Sequence, residues 1–130
     1  MAAFKTYEEI EAWQRGRRLV NAIYDAASVG AFSKDYGLKD QIQRASVSIC
    51  SNIAEGFERR GNKEFVKFLW IAKGSAAEVS SQLYHAFDRG YIDKTCFDRL
   101  YDDAKAISAK VYNLIKSITT SEKGEDFKRL

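Results

Sequence analysis

Apolar residues recur at three- and four-residue steps through four successive blocks of this 130-residue chain, and the sequence contains no proline to interrupt them. A helix with ~3.6 residues per turn sets such residues along one face. Each block therefore predicts an amphipathic helix whose apolar stripe must be covered by another element.

The first block opens at Thr6, whose hydroxyl is placed to accept a hydrogen bond from a first-turn amide, with Glu9 three residues later to complete a capping box. Glu8, Glu9 and Glu11 suit the positive end of a helix. Its stripe is Ile10, Trp13, Val20, Ile23, Tyr24 and Ala27, which predicts a helix over about 7–29, ending before Gly30. The second stripe runs from around Asp35 through Leu38, Ile42, Ala45, Ile49, Ile53 and Ala54 to Phe57, predicting a helix over about 35–58. Gly61 then provides the backbone freedom for a turn, and Asn62 is placed to cap a third helix over about 63–89. Phe65, Leu69, Ala72, Ala76, Val79, Leu83 and Phe87 form its stripe, and Gly90 stops it. Asp93 caps the fourth, over about 94–119, carrying Phe97, Leu100, Tyr101, Ala104, Ile107, Val111, Leu114, Ile115 and Ile118. Residues 121–130, SEKGEDFKRL, have no such period and are expected to form a flexible tail. No segment alternates β-branched residues between turn signals, so no strand competes.

Short connections force consecutive helices to lie antiparallel and adjacent, and the expected fold is an all-α, up-down-up-down four-helix bundle occupying residues 1–120. An open array of helices is the alternative. The length fits one domain, and 45% hydrophobic, 13% aromatic and 30% charged residues is the balance of a folded chain. MAAFKTYEEI has no secretory pattern, and no apolar run reaches the ~20 residues that span a bilayer, so the expected location is cytoplasmic, without a membrane partner. Cys50 and Cys96 fall inside helical patterns with no CxxC or Cys/His cluster, which favours free thiols over a disulfide or a metal site.

The segment YGLKDQIQRASVSICSNIAEGFERR, residues 36–60, followed by EFVKFLWIAKGSAAEVSSQL, residues 64–83, resembles the four-helix-bundle proteins encoded by intervening sequences of bacterial ribosomal RNA genes. The likeness extends to Glu11, Trp13 and Tyr24 in the first helix and to Gly90 and Tyr91 before the fourth. The resemblance implies an antiparallel bundle assembled as a ring-like homo-oligomer, expected to be a pentamer, with no established enzymatic activity. A related branch accompanies reverse transcriptases of diversity-generating retroelements. There the protein resembles an accessory factor that binds nucleic acid and the polymerase, so RNA or DNA and a protein partner such as a reverse transcriptase are the partners implied. The family often has proline where this chain has Cys50, and another in the loop where it has Ser33. Without the first, the second helix is expected to be straighter.

Arg44, Ser48, Asn52, Glu55 and Arg59 follow three- and four-residue steps along the second helix, a polar stripe beside the apolar one. Ser, Asn and Gly are indifferent or poor helix formers, so a face that was merely solvated would be more stable built from other residues. If helices two and three form a hairpin turning near residue 60, residues whose numbers total roughly 120 share a level. Arg44 then lies near Ser75 to Glu78, and Glu55 near Lys63 to Lys67; an Arg44–Glu78 ion pair is predicted. The small run Gly74, Ser75, Ala76, Ala77 would let another backbone approach, from within the bundle or from a neighbouring subunit. Arg44, Asn52, Glu55, Gly56, Gly74, Ser75 and Glu78 are thus read as a structural motif.

No HExxH, Gly-rich phosphate loop or Glu-x-x-His pair is present, and His85 suits the end of its helix, so no catalytic residue, metal ligand or cofactor is expected. A net charge of +3 does not by itself imply a polyanionic partner, but its distribution is uneven. Arg15, Arg17 and Arg18 cluster in one turn, and Arg59, Arg60, Lys63, Lys67 and Lys73 occupy a stretch where Glu64 is the one acid. Arg15, Arg18, Arg59, Arg60, Lys63 and Lys67 are the candidate nucleic-acid contacts. In a monomer they read first as ordinary surface; a ring would repeat the patch and sum its field. The functional expectation is a non-enzymatic binding or scaffolding protein, the alternatives being a protein adaptor without nucleic-acid contact and an enzyme with a site assembled between subunits. Tyr7, Tyr36, Tyr84, Tyr91 and Tyr112 receive no site assignment.

Overall fold

The Asp35 carboxylate accepts a hydrogen bond from the Leu38 backbone N–H at 3.1 Å, satisfying one of the donors that a helix N-terminus leaves unpaired. In the computed structural model, which describes residues 4–59 and 61–120, that cap starts the second of four α-helices. They are α1 (Glu11–Ala27), α2 (Tyr36–Glu58), α3 (Asn62–Asp88) and α4 (Lys94–Thr120). Residues 121–130, expected to be a flexible tail, lie outside the described residues.

Each helix packs on its chain neighbours and α1 closes against α4, so α1 faces α3 only across a diagonal. The predicted stripes line the centre. Ile42, Ile49, Ile53, Phe65, Leu69, Val79, Leu83, Leu100, Ile107 and Val111 are fully buried, and a side chain of this size contributes roughly 1.5–3 kcal/mol on leaving water. Pairs such as Phe57–Phe65 and Ser48–Ser75 between α2 and α3, and Trp70–Tyr112 and Tyr84–Tyr101 between α3 and α4, fix the antiparallel order.

Gly56 marks the tightest approach of α2 to α3: a Cβ there would come within 2.6 Å of the Phe68 Cβ and 3.3 Å of the Phe65 carbonyl oxygen. Gly16 plays the same part between α1 and α2, where a Cβ would meet the Cys50 Sγ at 2.8 Å. The Cys50 thiol donates to the Trp13 carbonyl at 3.6 Å, and burial pushes its pKa up to about 11.

The first helix departs most from expectation. Thr6 makes no side-chain cap, and the Glu9 carboxylate accepts from the Lys5 backbone N–H at 2.9 Å instead of closing a capping box. A 3-10 turn at Tyr7–Glu9 comes first, resting the Tyr7 ring edge-on against Trp13 at 5.3 Å, and α1 begins only at Glu11. Its buried face is Ala12, Gly16, Leu19, Ile23 and Ala27, so Tyr24, predicted inside, is exposed. At its end Ser28 turns back onto the Asp25 carbonyl, and a second 3-10 turn, Gly30–Lys34, drops Phe32 into the core.

Asn62 is not the cap of α3 but its first residue, with Gly61 at φ 94° holding the cap position. The Phe87 ring, also predicted inside, is 37% exposed. At the far end of α3, Gly90 adopts φ 76°, its N–H bonds to the Phe87 carbonyl, and the Tyr91 N–H bonds to that of Ala86. This double closure requires a left-handed residue, which glycine provides without steric cost. Asp93 caps α4 as predicted, accepting from the Cys96 N–H at 2.8 Å. Among the described residues no helix is long and apolar enough to cross a membrane.

Candidate nucleic-acid interface

Along the seam of α2 and α3 the polar stripe forms a connected set of short side chains. The Asn52 amide donates to the Ser48 carbonyl at 2.8 Å and to the Ser48 hydroxyl at 2.9 Å, and that hydroxyl pairs with Ser75 across the seam at 2.9 Å. Ser48 and Asn52 are half-buried and Ser75 is buried. Their contact lies at the level expected for a hairpin turning near residue 60. The register is as predicted, but the ion pair is not. Arg44 reaches back along its own helix to Asp40 at 2.9 Å, with its side chain 79% exposed, while Glu78 is exposed and pairs with no described cation. An i,i+4 partner on the same helix is already in place, whereas reaching across the seam would order two long side chains for a solvent-screened attraction.

Glu55 likewise pairs within its helix, with Arg59 at 3.0 Å, and Arg59 also reaches Glu64 at 3.5 Å. The expected approach of Glu55 to Lys63 or Lys67 is thereby replaced by Arg59. Gly56 and Gly74 separate into two roles. Gly56 is buried in the seam, whereas a Cβ on Gly74 would meet nothing within 4 Å. No neighbour inside the protomer requires the small residue at 74.

The basic candidates do not converge on one groove. Arg15 is tied to Glu11 at 3.3 Å, and Lys110 reaches the same carboxylate at 3.1 Å. The Lys110 and Arg15 hydrogen bonds, Lys110 first, hold the Glu11 carboxyl below the usual range. Arg18 stays exposed beside Arg17, and the two line a shallow surface with Trp13, Gln14 and Asn21. The Arg17 guanidinium sits 6.0 Å from the Trp13 ring centre. Lys63 and Lys67 are exposed on α3 near the α2–α3 turn, Lys67 over the Phe68 ring at 5.6 Å and Arg59 over the same ring at 5.0 Å. Arg60 lies outside the described residues.

Because α1 and α3 face each other only diagonally, the Arg17/Arg18 and Lys63/Lys67 groups occupy separate faces. Of the candidates, Arg59 lies between two carboxylates and Arg15 shares Glu11 with Lys110. Arg17 is not among those candidates, and its place one turn after Trp13 is the signal in the sequence that marks it. Arg17, Arg18, Lys63 and Lys67 form no ion pair with any described carboxylate. Among the described residues, no three His, Cys, Asp or Glu side chains are grouped to hold a metal ion.

Comparison with known proteins bears on this geometry in two ways. The family model described as 23S rRNA-intervening sequence protein matches residues 8–121. A crystal structure of a protein of unknown function from the S23 ribosomal protein family of Bacteroides thetaiotaomicron superposes with a TM-score of 0.74 at 22% identity, covering 81% of this chain and 98% of that chain. At that identity the likeness speaks for the fold alone. No curated protein matches the sequence.

Proposed function

This chain belongs to the 23S rRNA-intervening sequence protein family, and from that premise we propose that it is a non-enzymatic, homo-oligomeric binding or scaffolding protein that holds structured RNA or DNA on its cationic surfaces. The observation that carries this reading is the set of exposed, unneutralised cations, Arg17 and Arg18 on α1 and Lys63 and Lys67 on α3. Such groups contact phosphates without first giving up an internal partner, and arginine can do so through two donors at once. Assembly multiplies them: copies around a ring, a pentamer being the expected number, repeat each patch and sum its field. Gly74 supports the assembly. A mid-helix glycine costs about 0.5–1 kcal/mol relative to alanine, and nothing in the protomer needs the space it leaves. A second backbone against α3 would.

A second reading, an adaptor for a polymerase or another protein without direct nucleic-acid contact, is favoured by Ile71, which is 44% exposed three residues from Gly74.

Binding of labelled RNA and DNA hairpins across a salt series separates the two. On duplex, log affinity should fall against log salt with a slope of about −0.9 per phosphate neutralised. Reversing charge at Arg17, Arg18, Lys63 and Lys67 should weaken binding and flatten that slope. Salt-insensitive or absent binding would favour the adaptor, and a monomer by light scattering would remove the ring.

A further inference from the structure

Trp70 on α3 and Tyr112 on α4 meet edge-on across the outer groove of these helices, ring centres 6.2 Å apart, and both remain nearly half exposed. They flank an open cleft of about 450 Å³ with Lys73, Lys105, Ser108 and Ala109. The lining contains no carboxylate. Lys116 adds a third cation, its Nζ 6.0 Å from the Tyr112 ring centre. None of the three lysines forms an ion pair with a described acid. Further along the groove the motif recurs. Tyr84, 48% exposed, packs edge-on to Tyr101 at 5.6 Å, and the Lys105 Nζ lies 5.8 Å from the Tyr101 ring centre. Trp70 and Tyr84 are about 21 Å apart along α3 at the rise of an α-helix.

We propose that the α3–α4 groove is a single-strand site, in which an unpaired base stacks on Trp70 and Tyr112 while Lys73, Lys105 and Lys116 take the flanking phosphates. The proposal rests on the nucleic-acid reading above and specifies a strand type and a surface that it does not. Exposed aromatic rings alternating with unpaired cations match the two repeating parts of a single strand, the π-face of each base and the charge of each phosphate. A duplex keeps its bases stacked on one another and offers this groove only phosphates. A second copy docked here would have to cover three lysines for which the groove lining supplies no carboxylate.

The test uses the full chain and two probes, a short single-stranded oligouridine and an RNA duplex of the same length. In a Trp13→Phe background Trp70 is the remaining tryptophan, and oligouridine should quench its emission more than duplex does. In the native background, Trp70→Ala with Tyr112→Ala should weaken oligouridine binding by roughly tenfold or more, in keeping with the loss of stacked rings, and leave duplex affinity nearly unchanged. Trp70→Phe, which keeps a ring, should retain most of the affinity and controls for folding. Equal losses on both probes, no loss on either, or a change of oligomer size by light scattering would overturn the proposal, the last assigning the face to a second copy. If single strands bind and only charge reversal at Arg17, Arg18, Lys63 and Lys67 weakens them, the groove proposal falls and the nucleic-acid reading stands. If neither probe binds, both fall.

Discussion

Two glycines of the same motif face opposite demands, and substitution should separate them. Gly56→Ala forces a methyl group against the Phe68 Cβ and the Phe65 backbone, an overpacking that should cost about 1–3 kcal/mol in urea unfolding. Gly74→Ala meets open space, so the protomer should gain about 0.5–1 kcal/mol while light scattering reports a weaker assembly. A sequence cannot separate these cases, because both are helical glycines in polar surroundings and only the position of the neighbouring helix distinguishes them. Asp35 offers a pH test. The Leu38 N–H and then the Tyr91 hydroxyl hold its carboxyl below the usual range. A depressed carboxyl adds stability above its unfolded pKa of about 3.9 and loses it as pH falls through the lower folded value. Asp35→Asn should therefore lower Tm at neutral pH, and the gap to the native protein should close on acidification below the carboxylate range.

Elements were legible wherever an apolar period lasted several turns. For α2 the expected span of 35–58 compares with Tyr36–Glu58, and for α3 an expected 63–89 compares with Asn62–Asp88. The two 3-10 turns were not visible, since Tyr7–Glu9 and Gly30–Lys34 are too short for any period to show. The α2–α3 register was also readable, because a tight turn and a fixed rise leave little freedom. Partner choice across the seam was not: Arg44 found Asp40 on its own helix, and the cross-seam contact went to the short hydroxyls of Ser48 and Ser75. A double-mutant cycle should find coupling of about 0.5–1.5 kcal/mol between Ser48→Ala and Ser75→Ala, and none between Arg44→Ala and Glu78→Ala. The reverse result would place the register-setting contact with the charges.

At the scale of the whole molecule, composition shows an excess of cations but not which of them acids have already taken. Arg15 and Arg59 stand among the candidate contacts in sequence and are paired in the fold, whereas Arg17 and Arg18 remain available. The same scale reveals what Tyr91 does. Its hydroxyl donates to Asp35 at 2.9 Å and its ring stacks on Phe32 at 5.2 Å, joining the α1–α2 connection to the α3–α4 connection. The α2–α3 seam and the α1–α4 contact join the two helical hairpins along their length, and this link ties them again at the end where both connections lie. With it, the start of α2 and the start of α4, distant in sequence, belong to one cooperative unit. Native-state hydrogen exchange should show the first-turn amides of α2 and α4 opening together, and Tyr91→Phe should let their opening energies drift apart.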